Sequence, residues 1–177
     1  MSKHHILYGA PLSYFTGKAR AYLNWRGVAY EERLSTRKVY TDFIIPRIGY
    51  PMIPVLETAE GDVIQDTTEI IDYFEARTNG PYVRPATPKQ RLASDLLELY
   101  GDEWLVIPAM HYRWRRNRDF AYGEFGKTVS PDADEAAQFE AGKQAAGMFE
   151  GSVPLLGATP EMGPAIEASY EALLDEL

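Results

Sequence analysis

The chain has 177 residues, of which 45% are hydrophobic, 12% aromatic and 25% charged, and its net charge is −8. This much apolar material can form a buried core, which excludes wholesale disorder. The sequence contains no cysteine, which excludes disulfides, thiolate metal sites and catalysis by a thiol of the protein itself.

The distribution of charged and apolar residues narrows the range of partners. An acidic protein repels phosphate backbones, so we expect no nucleic-acid partner. The one strongly basic segment, 113–118, fits the C-terminal end of a helix, where cations complement the helix dipole, better than an RNA or phosphate site. No run approaches the ~20 apolar residues of a membrane helix, and the start of the chain lacks a secretory signal pattern. We therefore expect a cytoplasmic protein without a membrane span.

The first eighty residues alternate between strand-like and helix-like segments. Strands are predicted where short apolar runs end in turn residues, and helices where apolar residues recur at helical spacing. Gly61 fits the turn of a hairpin, and Asp66 and Glu69 have the spacing of a capping box. The order is β-α-β-α-β-β-α, a mixed sheet with helices packed on it. The predicted segments are a strand at 5–8, a helix from about 13 to 26, a strand at 28–34, a short helix around 40–44 that ends at Pro46, a hairpin of 54–58 and 63–65, and a helix from 67 to about 79.

After a linker at 80–87, rich in proline and glycine, the pattern becomes helical only. Thr87-Pro88 opens a long helix toward Arg118, which we expect Pro108 to interrupt. Two more pairs of a capping residue and a proline predict two further helices. These pairs are Ser130-Pro131 and Thr159-Pro160. We therefore predict an α/β domain at 1–80 and an all-helical domain at 87–177.

Four segments, in this order and spacing, resemble the N-terminal domain of the glutathione transferases. They are 7–13 after the first strand, 27–32, 53–56 with its Ile-Pro pair, and 65–74 at the start of the last helix. Residues 87–118 resemble the start of the helical domain of that family. The resemblance implies a thioredoxin-like domain with a mixed four-stranded sheet, followed by an all-α domain.

The same resemblance implies a function in detoxification. The protein would bind glutathione as a co-substrate and activate its thiol for conjugation to a small apolar electrophile. It implies no cofactor and no metal, and we expect a homodimer.

Ser13 is the candidate catalytic residue, because serine-type members place their activating hydroxyl at this position. A hydrogen bond donated to the sulfur of glutathione would lower the thiol pKa. From the residues alone, a helix cap is the favoured role of Ser13, and Tyr8 and Tyr14 rank after Ser13 as alternative donors. Related members carry cysteine at the position of Ser13, so we do not expect thiol–disulfide exchange.

Five further residues are predicted to hold glutathione, again from the resemblance. Ile53 and Pro54 match a cis-proline turn whose backbone pairs with the cysteinyl unit. Asp66 and Thr67 match an acid–hydroxyl pair at a helix start that holds the γ-glutamyl end, with Asp66 or Gln65 accepting from its ammonium group. From sequence alone, Asp66 and Thr67 are equally a capping box.

Some features depart from the family pattern. The helical region is short for the family, which indicates a truncated or reduced second domain. The segment 49–52 before the proline turn is longer and richer in proline than usual, and Asp66-Thr67 replaces the commoner Glu-Ser. These departures keep an alternative function open, a non-catalytic protein-interaction module with the same fold.

Overall fold

The structure is a computed structural model that describes residues 4–177. Residues 1–3, which belong to the predicted α/β domain, lie outside the described residues. The described part contains a four-stranded sheet. The strands are β1 (His5–Gly9), β2 (Tyr30–Leu34), β3 (Val55–Glu57) and β4 (Val63–Gln65). Helices lie between β1 and β2 and between β2 and β3, and a turn lies between β3 and β4.

The sheet is mixed, with strand order β2-β1-β3-β4. β1 and β2 run parallel, whereas β1 and β3, and β3 and β4, run antiparallel. A helix connects β1 to β2, and a tight turn with Gly61 at φ 99° connects β3 to β4. The predicted fold class, an α/β thioredoxin-like sheet followed by helices, is confirmed.

Nine α-helices and three π-helical turns make up most of the remaining described residues. Four helices pack with the sheet, namely α1 (Tyr14–Arg26), α2 (Arg37–Val39), α3 (Ile45–Ile48) and α4 (Thr67–Glu75). Five more follow, namely α5 (Pro88–Leu99), α6 (Val106–His111), α7 (Arg118–Val129), α8 (Glu135–Ser152) and α9 (Gly163–Glu176). We call residues 5–75 the α/β part and residues 88–176 the helical part. None of the helices in the described residues 4–177 has the length and apolar character needed to cross a membrane.

Helix α1 begins and ends where its sequence predicts. The Ser13 side chain caps its first turn, and Gly27 ends it at φ 72°, with the Gly27 N–H bonded to the carbonyl of Asn24. Ala19 and Leu23, on one face of the helix, are fully buried against β1 and α4.

The predicted end of a helix at Pro46 is wrong. The chain stays helical from Arg37 to Ile48 by passing through a π-helical turn at Tyr40–Ile44, so that Pro46 falls in the first turn of α3. Proline lacks the N–H that an inner helical residue donates to the preceding turn, and here the irregular π-helical turn lies directly before the segment that contains Pro46. Gly49, at φ 88°, then ends the segment.

The predicted interruption near Pro108 is present but lies earlier in the chain. Pro108 is inside α6, and the π-helical turn at Tyr100–Trp104 precedes it. The N–H that proline lacks would have bonded to the carbonyl of Trp104, so the irregularity falls one turn before the proline. A second π-helical turn, Tyr112–Arg116, closes this helical segment at the basic cluster, as predicted.

Two predicted helix starts are wrong. Helix α8 begins after Asp134, whose carboxylate accepts from the Ala137 N–H at 2.9 Å, rather than at Ser130-Pro131. Helix α9 begins at Gly163, after a turn that contains Thr159-Pro160. In both places the prolines stand in the turn that precedes the helix.

Helices α7 and α8 cross at close range through two glycines. A Cβ on Gly126 would meet the backbone of Gln138, and a Cβ on Gly142 would meet the backbone of Tyr122. Gly147, in the same helix as Gly142, has open space around its Cα. The crossing therefore depends on the absence of two specific side chains.

A polar cluster at the end of α1 joins this helix to α4 and to the segment that follows α4. The hydroxyl of Tyr22 donates to Oε1 of Glu75 at 2.7 Å, and the Arg26 guanidinium pairs with the same oxygen. The N–H of Val83 donates to the other carboxylate oxygen at 2.8 Å. Burial and then the Glu75 carboxylate raise the pKa of Tyr22 to about 12.

Candidate functional site

The ends of β1 and β4 and the start of β3 lie side by side at one edge of the sheet. The predicted site residues lie at or next to these three places in the chain. Tyr8 near the end of β1 is paired with Val55 at the start of β3, and Val55 is paired with Gln65 at the end of β4. Paired residues on neighbouring strands lie about 5 Å apart. The chain segments that carry Ser13, Ile53 and Asp66 therefore leave the sheet side by side. We call this place the Tyr8–Val55–Gln65 edge.

Ser13 is half-buried and caps α1. Its backbone is extended (φ −71°, ψ 122°), and its Oγ accepts a hydrogen bond from the Thr16 N–H at 3.2 Å. This bond uses a lone pair of the hydroxyl and leaves its proton available to a further acceptor. The capping role is therefore compatible with donation to a ligand.

The two alternative donors have partners for their hydroxyl protons inside the protein. The Tyr8 hydroxyl donates to the Glu57 carboxylate at 2.9 Å, and the Tyr14 hydroxyl donates to the Gly101 carbonyl at 2.8 Å. Burial raises the pKa of Tyr8, with a further contribution from Glu57. Burial likewise raises the pKa of Tyr14, with a further contribution from Asp102. Both phenols are thus held in their protonated form by bonds that do not involve a ligand.

The Ile53–Pro54 peptide bond is cis, as the resemblance implies. Pro54 is fully buried, and Ile53 precedes the first residue of β3 by two positions. Within the described residues, neither the N–H nor the carbonyl of Ile53 takes part in a backbone hydrogen bond. In the preceding segment, the Tyr50 hydroxyl donates to the side-chain oxygen of Gln65 at 2.7 Å, which ties the proline-rich approach to the end of β4.

Asp66 caps α4 in an unusual backbone conformation. Its φ is 83°, the one positive φ among the described non-glycine residues, and its carboxylate accepts from the Thr68 N–H at 2.8 Å. The predicted cap is therefore present. Its carboxylate accepts from the N–H of Thr68, the second residue of α4, and not from that of Glu69, the third. Thr67 is 3% exposed and directly follows the cap.

A second polar cluster connects this edge to the helical part. The Lys18 ammonium donates to Glu98 at 2.8 Å and to Asp102 at 2.6 Å, and the Thr68 hydroxyl donates to the same Glu98 at 3.1 Å. Burial of Glu98 opposes its ionisation, but the bonds from Lys18 and Thr68 outweigh burial and lower the pKa of Glu98. The starts of α1 and α4 are thus fixed to the helical part.

An open cavity of about 590 Å³ lies between the two parts, bordered by residues 36–38 and 41 on one side and by 129–133 on the other. Its first wall follows the end of β2, which lies beside the end of β1 because the two strands are parallel. Arg37 and Lys38 bring cations to this wall, and Val129 and Pro131 bring apolar surface to the other. Sequence reasoning missed these residues, because no local pattern shows that segments about ninety positions apart meet.

The large side chains between Trp104 and Trp114 differ in their burial. Trp114 and Met110 are buried in the core of the helical part, whereas Trp104 is 64% exposed. His111 is buried and its Nε2 lies 2.7 Å from the Glu167 carboxylate on α9. Trp114, Met110 and His111 therefore serve packing within the helical part, whereas Trp104 does not.

Comparison with known proteins places this geometry in a family context. Residues 7–82 match the family model described as the glutathione S-transferase N-terminal domain. No curated protein sequence matches the chain.

Three solved structures are similar in fold. A Tau class glutathione S-transferase from mango, Mangifera indica, is 22% identical with a TM-score of 0.50, over 82% of this chain and 59% of that protein. A glutathione S-transferase from Methylobacterium radiotolerans, in complex with glutathione sulfonate, is 20% identical with a TM-score of 0.53, over 80% of this chain and 64% of that protein. The beta-etherase LigF from Sphingobium is 19% identical with a TM-score of 0.54, over 99% of this chain and 67% of that protein.

The chain spans 59% and 64% of the lengths of the two glutathione S-transferases. The likeness to all three structures concerns the fold, at identities of 22% or less. Residues 7–82 match the N-terminal domain of the glutathione S-transferases, and the chain has the fold of that family, a thioredoxin-like α/β part followed by helices.

Proposed function

We propose that the chain binds glutathione at the Tyr8–Val55–Gln65 edge and activates its thiol for conjugation to a small apolar electrophile. The observation that supports the proposal is the strand register, because Tyr8, Val55 and Gln65, which lie next to the segments with Ser13, Ile53 and Asp66-Thr67, are paired at one edge of the sheet. The glutathione sulfonate bound to the Methylobacterium radiotolerans protein supports this ligand.

Two of the three units of the tripeptide, the cysteinyl and the γ-glutamyl unit, have partners of suitable chemistry. The free N–H and carbonyl of Ile53 pair with the cysteinyl unit as an added strand would. The γ-glutamyl carboxylate binds at the start of α4, where Thr67 and backbone N–H groups donate. Asp66 and Gln65 accept from the γ-glutamyl ammonium group, with the ligand replacing part of the cap.

Ser13 acts as a hydrogen-bond donor in this proposal. Its hydroxyl donates to the glutathione sulfur, and because the donor favours the charged form, it lowers the thiol pKa. The N-terminus of α1 carries a partial positive charge, which also favours the negatively charged thiolate. The thiolate then forms a bond to an electrophilic carbon, and the leaving group departs with its electron pair. The cavity between residues 36–41 and 129–133 receives the electrophile, with Val129, Pro131 and Ala133 as its apolar wall.

A homodimer, a cytoplasmic location and a role in detoxification complete the proposal. The dimer is supported by leucines on α5 that recur at helical spacing and expose more than half of their surface. These are Leu92, Leu96 and Leu99. We place the domain division at the predicted segment 80–87, which separates the sheet from the helices.

The test is a calorimetric titration of the folded chain with glutathione. We expect saturable binding, weakened at least about tenfold by Asp66→Asn or Thr67→Val, since each change removes a charge or a donor that the ligand uses. Asp134→Asn is the matched control, because Asp134 caps α8 through the same type of bond away from the Tyr8–Val55–Gln65 edge. A folded chain that binds no glutathione would contradict the proposal and favour the interaction module.

A further inference from the structure

Both chain neighbours of Ser13 are hydrogen-bonded to the helical part. On one side, Nη2 of Arg113 donates to the carbonyl of Leu12 at 2.6 Å. On the other side, the Tyr14 hydroxyl donates to the carbonyl of Gly101 at 2.8 Å. Ser13 therefore lies between two residues that are each bonded to the helical part, Leu12 through its carbonyl and Tyr14 through its hydroxyl.

Each partner of these bonds lies in a π-helical turn. Gly101 belongs to the turn Tyr100–Trp104, and Arg113 belongs to the turn Tyr112–Arg116. A π-helical turn shifts the helix by one residue, and such turns occur frequently at functional sites. The two irregularities of this helical segment therefore coincide with its two bonds to the residues beside Ser13.

Packing around Leu12 adds to the hydrogen bonds. Its side chain lies against the core of the helical part, the cluster that includes Met110 and Trp114. The segment that carries Ser13 is thus held in place by contacts with the helical part as well as by its connection to β1.

The charge of Arg113 lies at the interface between the two parts and has no carboxylate partner among the described ion pairs. Burial lowers the pKa of this guanidinium, and no acidic group offsets that effect. The titratable groups around Tyr14 are Tyr170 of α9 and the pair formed by Lys18 and Asp102. The guanidinium of Arg113 is therefore held beside the carbonyl of Leu12, the residue before Ser13, without a carboxylate partner among the described ion pairs.

We propose that Arg113 and Tyr14 are positioning residues that hold Ser13 in the geometry needed to lower the thiol pKa of bound glutathione. The inference rests on the proposed function and extends it, since it assigns part of thiol activation to the helical part. Tyr14, an alternative donor in the sequence, acts through Ser13 and not on the sulfur.

The experiment measures the pKa of the thiol of bound glutathione, from thiolate absorbance during a pH titration of the complex. Tyr14→Phe removes a single oxygen atom and Arg113→Gln removes the guanidinium. We expect each to raise the thiol pKa by about one unit, a tenfold fall in the acid dissociation constant of the thiol. Affinity for S-methylglutathione, which has no thiol, should stay within about twofold of the wild type.

Two matched controls separate positioning from general effects on the fold. Tyr122→Phe removes a similar hydroxyl bond, to Glu150, within the helical part, and Arg115→Gln removes an exposed arginine of the same π-helical turn. Neither should move the thiol pKa. In a Ser13→Ala background, Tyr14→Phe should add no further shift, because it acts through Ser13.

The outcomes distinguish the inference from the proposed function. A wild-type complex with an unshifted thiol pKa overturns the serine mechanism, and this inference with it. A wild-type shift that persists in Tyr14→Phe overturns the inference alone. Because Tyr14→Phe is the smaller change, it decides the question even where Arg113→Gln does not fold.

Discussion

The hydroxyl of Tyr8 donates a hydrogen bond to the carboxylate of Glu57, 2.9 Å away on the adjacent strand. The ring of Tyr8 packs on Phe43, with ring centroids 4.4 Å apart. Tyr8 is thus 6% exposed and has a partner within the sheet. In this environment it belongs to the core and does not face a ligand.

We therefore predict that Tyr8→Phe leaves the conjugation rate within about twofold of the wild type. The Glu57 carboxylate loses a donor, so the free energy of unfolding should fall by about 1 kcal/mol. Initial rates with glutathione and a model electrophile, together with denaturant unfolding, test both parts. A Tyr8→Phe variant with a strongly reduced rate would return Tyr8 to the role of thiol donor.

Ser13→Ala should affect activity far more than stability. Loss of the cap costs about 1 kcal/mol of unfolding free energy, whereas loss of a donor to a developing anion lowers kcat/KM by about a hundredfold. Asp134→Ala removes an equivalent cap at α8 and should lower stability alone. Equal rates for Ser13→Ala and the wild type would eliminate the serine mechanism.

Asp66→Gly should move stability and binding in opposite directions. At φ 83° a non-glycine residue is strained by about 1–3 kcal/mol, and replacing a cap by glycine costs only a few tenths. Unfolding free energy should therefore rise or stay constant, while glutathione affinity falls with the loss of the carboxylate. Asp134→Gly, at φ −67°, relieves no strain and should only destabilise. Denaturant midpoints and calorimetry of the two variants make the comparison.

The close crossing of α7 and α8 predicts opposite effects for alanine at neighbouring glycines. Gly142→Ala places a methyl group against the backbone of Tyr122, so we expect a loss of about 3 kcal/mol or more in unfolding free energy. Gly147→Ala, five residues on in open space, should gain up to about 1 kcal/mol from helix propensity. Thermal unfolding of both variants is the measurement, and a stable Gly142→Ala protein would contradict the packing.

The Glu75 cluster predicts a loss of stability in acid. Burial alone would raise the pKa of Glu75, but the bonds from Tyr22, Val83 and Arg26 outweigh it and lower that pKa. A carboxyl with a lowered folded-state pKa stabilises the protein above its unfolded pKa of about 4.3. This stabilisation is lost as the pH falls through the folded-state value. Glu75→Gln should therefore flatten the dependence of unfolding free energy on pH below about pH 5, without changing its slope near neutrality.

Local sequence patterns predicted the order of the elements in the α/β part and several of their ends. The turn at Gly61 is predicted correctly, because glycine adopts the positive φ of a tight turn without steric cost. Pro46, Pro131 and Pro160 were misread because a proline suits the end of one helix, the first turn of the next, or the turn between them. Distinguishing these cases needs the hydrogen-bond register of the neighbouring turns, including π-helical turns that leave no clear sequence pattern.

The candidate site could be predicted where one segment holds the signal. Ser13 and Asp66 were both identified as caps, and the structure shows both capping bonds. The bond between Arg113 and Leu12 joins residues 101 positions apart. Arg113 stood out in the sequence as part of a basic cluster, but only the packing of the helical part against the loop of Ser13 shows what it contacts.

The register of Tyr8, Val55 and Gln65 has a consequence for how the sheet exchanges its amide hydrogens with solvent. Three strands distant in sequence end together at one edge, and β3 is held between the other two. A molecule that touches all three connections resists separation of β3 from either neighbour. Occupancy of this edge would therefore slow exchange along the whole length of β1, β3 and β4, including amides that no ligand contacts.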